Sequence, residues 1–377
     1  MNKKNVWTWV IVIAVIVIFV VIFLISNKRM AVNEKQYSVG VIVPLSGGAS
    51  NIGVPFSQGM QIAVDEVNGS GGINGKKVVL GIQDGEFSGT KSISAAKQLL
   101  ATIDPDAFDV LFALPAQALS PVFKDAKKPF LEWDYSRNVV SQNDYAFKTG
   151  FDAITGCEDL VNYAKNQKLY KKIGVLMSKT PYNQNCFEGA KKADSSISEY
   201  WYDFGSDDFR TLLSKVHQDG VDTIVTIPID PEPVRLFKQL SDLQYPIRVI
   251  CFTSSECIYP QVVNSASQKA LEGTLSVDFI PENLFESPFA NLFRSKYPND
   301  NSKTTITWAA QGYDDMSIII AAMKNCSPKD SDCLTKSLGE VKGYASVTGS
   351  NGFNDRIQNL TMVKQIYQNG KWVNITE

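Results

Sequence analysis

From residue 37 onward two periodicities alternate along the chain. Tyr37 to Val43 is an apolar run rich in β-branched residues, the pattern of a strand buried on both faces. Phe56, Met60, Ala63 and Val67 then recur at helical spacing and put one apolar stripe on a helix, which Gly69-Ser70-Gly71-Gly72 stops. Further strands are predicted over 76–83, 109–114 (ended by Pro115) and 129–133, with helices over 92–102 and 118–125 between them. The alternation restarts with a helix over 157–166. It continues through strands at 172–178, 199–204, 222–229 and 247–252 and helices at 184–193, 209–216 and 232–243. Late helices cover 308–325 and 333–341. A terminal hairpin joins 363–367 to 372–373 across Asn369-Gly370, a pair that favours a type I′ turn. Two runs of strand–helix alternation predict an α/β fold with two doubly wound parallel-sheet lobes. Ligands of such sheets bind beyond the carboxyl ends of the strands, which nominates Ser46, Ala116, Gln117, Asp134, Ser136, Tyr182, Asp230 and Thr253.

The N-terminus breaks this pattern. Val6 to Ile25 is 20 residues without a charge or a proline, long enough as a helix to span about 30 Å of hydrocarbon. Trp7 and Trp9 sit at one end, where amphipathic rings favour the interface. A cleaved signal peptide is the competing reading, but it wants a shorter apolar core and a small-x-small cleavage site, and Ser26 to Met30 offers none. The expectation is a membrane anchor within residues 1–36, with a cytoplasmic tip and a short stalk. Lys3 and Lys4 favour a cytoplasmic N-terminus, while Lys28 and Arg29 on the other flank oppose it.

The cysteines decide the side. All six (157, 186, 251, 257, 326 and 333) lack C-x-x-C spacing. Cys326–Cys333 and Cys251–Cys257 bracket short polar loops that can close as disulfides, as suits an oxidising exterior; six buried thiols are the alternative. Cys157 and Cys186 would both lie in first helical turns after adjacent strands, which makes them a third candidate pair. The body is expected outside the membrane, at the cell surface or in a periplasm.

Charge and motifs narrow the chemistry. The first 30 residues hold four cations and no acid, so the chain's net −2 leaves −6 on the body, a poor surface for nucleic acid. A single histidine, His217, excludes multi-histidine metal sites and leaves little room for a His-based triad. There is no G-x-G-x-x-G, no phosphate-cradling loop and no G-x-S-x-G elbow. Hydroxyls and amides at the sheet ends without a nucleophile–base pair favour binding over catalysis, with no cofactor and no metal; a cell-envelope hydrolase is the rival from another class.

The ordered series of motifs resembles the type I solute-binding proteins of ABC importers, in particular the Leu/Ile/Val-binding group. It runs through Pro44-Leu45-Ser46-Gly47, Asn68 to Gly75, Asp84, the strand Lys171 to Ser178, Tyr182, Glu188-Gly189, Leu271 to Thr274 and Thr348 to Phe353. The resemblance implies two lobes joined by three crossovers near 149–152, 277–281 and 349–353, with lobe 1 at 37–150 plus 282–349 and lobe 2 at 151–281 plus 350–377. It implies a small polar ligand, an amino acid or related amide, trapped between the lobes of a monomer and delivered to an ABC permease. A sensor ectodomain of the same fold is the alternative. The implied pocket residues are Ala116, Gln117, Asp134 and Ser136 in the first lobe and Tyr182, Asp230 and Thr253 in the second; the family's acid for an ammonium aligns near Thr253 or Glu256, while charge geometry makes Ser136 a donor for a carboxylate and Asp230, with Asp134 in reserve, the acceptor for an ammonium.

Overall fold

The computed structural model describes residues 36–166, 170–228, 231–252, 257, 260–278, 281–299, 302–358, 360 and 363–375. The apolar run at 6–25, Asp230, Thr253 and Glu256 lie outside the described residues. No helix among those described is long and apolar enough to cross a membrane.

The first half alternates as the pattern requires: β1 (Gln36–Val43), α1 (Ser50–Gly69), β2 (Lys77–Asp84), α2 (Gly89–Thr102), β3 (Ala107–Leu111), α3 (Ala113–Ala126), β4 (Phe130–Trp133) and β5 (Ala146–Thr149). The second half gives α4 (Ala153–Asn166), β6 (Ile173–Ser178), α5 (Pro181–Ala193), β7 (Ser198–Tyr202), α6 (Arg210–Gln218), β8 (Thr223–Thr226), α7 (Glu232–Leu243), β9 (Arg248–Phe252), the short helices α8 (Pro260–Ser265) and α9 (Gln268–Leu271), and β10 (Leu275–Asp278). The chain then returns with α10 (Pro288–Lys296), α11 (Lys303–Met323), α12 (Ser331–Glu340) and the strands β11 (Phe353–Asn354), β12 (Ile357–Gln358), β13 (Val363–Gln368) and β14 (Lys371–Asn374). Two seven-stranded sheets result, in the orders β11-β12-β5-β4-β3-β1-β2 and β14-β13-β10-β9-β8-β6-β7. Their inner strands pair in parallel, and helices cover both faces.

The helical layer of the first lobe is set by glycine. A Cβ on Gly59 of α1 would stand 1.8 Å from the Ala309 carbonyl oxygen, and one on Gly312 of α11 would stand 2.0 Å from the Phe56 oxygen. Bare backbone at both positions lets the two helices touch, and this fixes where α11 presents its polar residues. The disulfides pair as 157–186, 251–257 and 326–333, with Cα separations of 5.2, 6.3 and 5.8 Å, inside the normal range.

β5 and α10 have no counterpart in the sequence reading, and two further differences bear on the lobes and the cleft. Residues 353–358, expected in lobe 2, form a hairpin in the first sheet. Asp355 and Arg356 both take left-handed backbone, φ 48° and 63°, and close a tight turn, after which Ile357 pairs with Lys148 of β5. The chain joins the second sheet only at β13. The third strand also ends earlier than expected. It stops at Leu111, and α3 begins at Ala113 with Pro115 in its first turn, where no amide donor is needed.

Candidate functional site

The carboxyl ends of both sheets face one cleft. Its cavity, of about 220 Å³, is walled from the first lobe by Ile52, Phe87, Phe112, Ala113, Leu114, Trp133, Asp134, Tyr135 and Trp308, and from the second by Lys179, Thr180, Pro181, Tyr182 and Phe204. The wall is mainly aromatic. Phe87 meets Phe112 edge-on (5.1 Å between centroids), Phe112 meets Trp308 (6.2 Å), Trp308 meets Trp133 (4.6 Å), and Trp133 meets Tyr135 (5.1 Å). Tyr135 then crosses to Tyr182 of the other lobe, 5.9 Å away and nearly perpendicular. Such tilted pairs present alternating ring faces and edges to a guest.

Each ring is held from behind. Asp84, at the end of β2, accepts the Leu45 N–H (2.9 Å), the Ser46 hydroxyl (2.6 Å) and the Glu86 N–H (2.9 Å); these bonds hold its carboxyl below the usual range, although burial opposes them. That turn puts Glu86 and Phe87 into left-handed backbone, φ 47° and 55°, and so points Phe87 at the cleft. Phe112 is more constrained still, at φ 79° and ψ 148°, a region that glycine normally occupies. Its N–H donates to the Trp133 carbonyl at 2.9 Å. A bulky residue kept there at a cost of about 1–3 kcal/mol marks a place where position outweighs stability. The Trp133 indole N–H donates to Gln311 Oε1 of α11 at 3.1 Å. Tyr135 stacks on Phe151 of the first crossover at 4.3 Å, and Phe151 meets Phe252 of β9.

The charges are few. Lys179, on the rim, is turned outward to Asp203 at 2.9 Å. Asp134 is 5% exposed and lines the cavity. Burial pushes its carboxyl up to about 6, against the pull of Lys148 and of the Tyr135 and Ser136 N–H groups that it accepts. Lys148 is fully buried behind it and donates to the carbonyls of Gly150 (3.0 Å) and Phe151 (2.7 Å). Glu132, also buried, accepts the Val140 N–H at 3.1 Å and is held well above the usual range by burial and by Asp134. Two helix N-termini open on the same space, α3 at Ala113–Leu114 and α5 at Thr180–Tyr182, and neither has a side-chain cap.

Of the residues nominated from sequence, the structure brings Asp134 and Tyr182 into the cleft, one from each lobe. Ala116 lies inside α3, fully buried in the core cluster that also holds Ile42, Leu119 and Phe123. Gln117 lines a separate hollow with Ser120 and Asn138. The Ser136 hydroxyl is buried and accepts the Asn138 N–H at 3.1 Å, a turn cap. Ser46 serves Asp84. Phe87, Phe112, Trp133, Phe204 and Trp308 were not singled out by the sequence reading. None of the five carried a signal that separates a cleft wall from core: Phe112 and Trp133 stand at strand ends and Phe87 three residues beyond one, positions where an aromatic also packs inside.

A second, more polar hollow of about 450 Å³ is lined by the crossover segments, with the Arg137–Asp152 ion pair, Thr155, Asp159, Asp355 and Gln358. Arg137 also donates its N–H to Asn185 of α5 at 3.0 Å, which joins the lobes on that side.

Residues 36–368 match the model of the periplasmic binding proteins. Leu/Ile/Val-binding protein homolog 1 of Brucella suis biovar 1 is 25% identical over 334 residues, covering 84% of this chain and 86% of its own. Two solved structures share the fold. The branched-chain amino acid transporter substrate-binding protein LivJ of Streptococcus pneumoniae, in complex with isoleucine, has a TM-score of 0.73 at 21% identity, over 90% of this chain and all of its own. A solute-binding protein of an ABC transporter from Rhodopseudomonas palustris HaA2, in complex with p-hydroxybenzoic acid, has a TM-score of 0.76 at 19% identity, over 91% of this chain and 96% of its own. A single family model spans every strand but β14 and every residue that lines the cleft: the chain belongs to the periplasmic binding protein family and is a solute-binding protein.

Proposed function

We propose that the protein is an extracytoplasmic receptor that closes its two lobes on a small solute with a flat or branched apolar body and hands it to the permease of an ABC importer. The observation that carries this is the cleft itself, an aromatic wall contributed by both lobes at the carboxyl ends of both sheets. Related proteins are named for leucine, isoleucine and valine, and solved neighbours hold isoleucine or p-hydroxybenzoic acid, all molecules with an apolar body and a charged end. Amino acids therefore belong in the first screen. Lobe 1 comprises 37–150 plus 282–358, and lobe 2 comprises 151–281 plus the terminal hairpin. Asp230 and Thr253 belong to the ligand-facing wall of lobe 2, a reading supported by their places in the chain, four residues after β8 and directly after β9. The apolar run at 6–25 anchors a single copy of the protein to the membrane, with the disulfide-bearing body outside.

Trp133 and Trp308 form part of the wall, so occupancy reports itself. Titrating the full chain in detergent with a panel of apolar amino acids, aromatic acids and amines should change its tryptophan emission for at least one of them, and Trp308→Ala should diminish that change. Silence across the panel, with an unaltered melting temperature, would sink the solute-binding assignment of this cleft.

A further inference from the structure

An amino acid needs hydrogen-bond donors for its carboxylate, and the donors expected at the first-lobe strand ends are already taken. The Tyr135 N–H donates to Asp134 Oδ1 at 2.6 Å, and the Ser136 N–H binds the same carboxylate. The Ser136 hydroxyl caps its own turn. The Ala116 N–H is inside α3, donating to Phe112 at 3.1 Å, and Gln117 faces a different hollow. Pro115 and Pro181 lack an N–H in the first turns of the two helices that open on the cleft. The loop at the end of β4 thus carries its own carboxylate where a ligand's carboxylate would have bound.

We propose that the cleft selects an organic cation: an amine with a flat apolar body and no carboxylate, its ammonium seated on Asp134 and its body among Phe112, Trp133, Tyr135, Tyr182 and Trp308. This rests on the solute-binding reading of the same cleft. An ammonium beside Asp134 makes a charge-assisted hydrogen bond and meets the faces of the surrounding rings, the combination by which proteins hold alkylammonium groups. A ligand carboxylate there would face a like charge. The neighbouring charges leave this choice intact. Lys179 pairs with the exposed Asp203, Lys148 behind Asp134 is engaged by two carbonyls, and Glu132, held well above the usual carboxylate range by burial, does not line the cavity. The remaining first-turn N–H groups of α3 and α5 oppose it, since helix N-termini favour an anion; the experiment therefore sets the two charges against each other.

Three probes share one body and differ in charge: phenylethylamine, phenylalanine and phenylpropanoate. Calorimetry on the full chain in detergent should show the amine binding at least about tenfold more tightly than either of the others, the scale of one charge-assisted hydrogen bond. Asp134→Asn should lower amine affinity by a similar factor. Asn keeps an acceptor for the Tyr135 N–H, and a cooperative melting curve with a midpoint no lower than wild type will show that the fold survives. Because the Asp134 carboxyl sits at about 6, wild-type affinity for the amine should fall about tenfold between pH 7.5 and pH 5, whereas an anion would bind better there. The inference is overturned if phenylalanine or phenylpropanoate matches the amine, if amine binding ignores both Asp134→Asn and pH, or if the amine does not bind at millimolar concentration. A Trp308-dependent response to phenylpropanoate or phenylalanine alone would overturn it and leave the solute-binding reading standing. Silence to every probe and to the wider panel would remove both.

Discussion

Asp134 shows the site trading stability for chemistry. Its folded-state carboxyl is raised to about 6, above the ordinary 3.8, so the charged form is disfavoured in the fold. The sign follows directly: the penalty is present above pH 6 and disappears as pH falls below the unfolded value near 4. A shift of this size corresponds to about 3 kcal/mol at neutral pH. Asp134→Asn should therefore melt at the same temperature as wild type or higher at pH 7.5, with the difference closing by pH 4, as followed by scanning calorimetry. A variant clearly less stable at pH 7.5 would show that Lys148 and the two N–H groups outweigh burial. Asp134 and Tyr182 were legible in the sequence because a polar or amphipathic residue directly after a buried strand stands out. Trp133 and Trp308 were not, because a tryptophan at a strand end or on a helix stripe reads as core, and both are indeed buried while also walling the cleft. Phe112 was hidden for another reason: nothing in a phenylalanine announces a backbone that usually requires glycine.

Helix α11 is the element that sets the geometry of the cleft. Locked to α1 by facing glycines, it reaches two strand ends and the loop that follows α12. Gln311 holds Trp133, Asp315 accepts the Thr149 hydroxyl at 2.8 Å just before the first crossover, and Asp314 accepts the Ser346 hydroxyl (2.7 Å), the Val347 N–H (2.8 Å), and the Thr348 N–H and hydroxyl. Asp314→Ala leaves those buried donors unmet and should cost about 2–4 kcal/mol in urea denaturation; Asp314→Asn, which keeps acceptor capacity, should recover part of it. A loss below about 1 kcal/mol would show the segment after α12 held by other means. The α4–α5 pair makes a similar point. Gly189 brings the helices together, a Cβ there standing 1.9 Å from the Ile154 oxygen, and Cys157–Cys186 ties them with a sequence separation of 29. Replacing both cysteines by alanine should cost about 3–4 kcal/mol if the bond acts through the unfolded chain. The elements themselves were largely readable: α7 over 232–243 and the Asn369-Gly370 hairpin lie where periodicity and turn chemistry put them. The β11–β12 hairpin was not, because each strand has two residues and its turn uses Asp355 and Arg356 rather than glycine.

Across the cleft Tyr135 packs on Tyr182, and beside it the lobes are joined by the Arg137 N–H to Asn185 and by Phe151 against Phe252, a junction that leaves the mouth of the cleft free to close. The lips of the cleft tell the same story from the surface. Leu114 of the first lobe and Phe204 of the second are 51% and 50% exposed, yet both line the cavity. Large apolar side chains left in water on opposing lobes do little for the unliganded fold, and lobe closure over a bound solute is the event that would cover them. Half-burying two such residues is worth about 1–2 kcal/mol altogether, or roughly five- to thirtyfold in affinity. The double variant Leu114→Ser/Phe204→Ser should therefore keep the wild-type melting temperature without ligand and lose affinity by that factor. The loss should fall mainly on the dissociation rate, because the lips are covered only after closure. Stopped-flow tryptophan fluorescence separates the two rates, and small-angle scattering with saturating ligand should show the variant still contracting. If the variant binds and releases ligand as wild type does, the lips stay apart in the closed state, and the aromatic wall alone must account for retention.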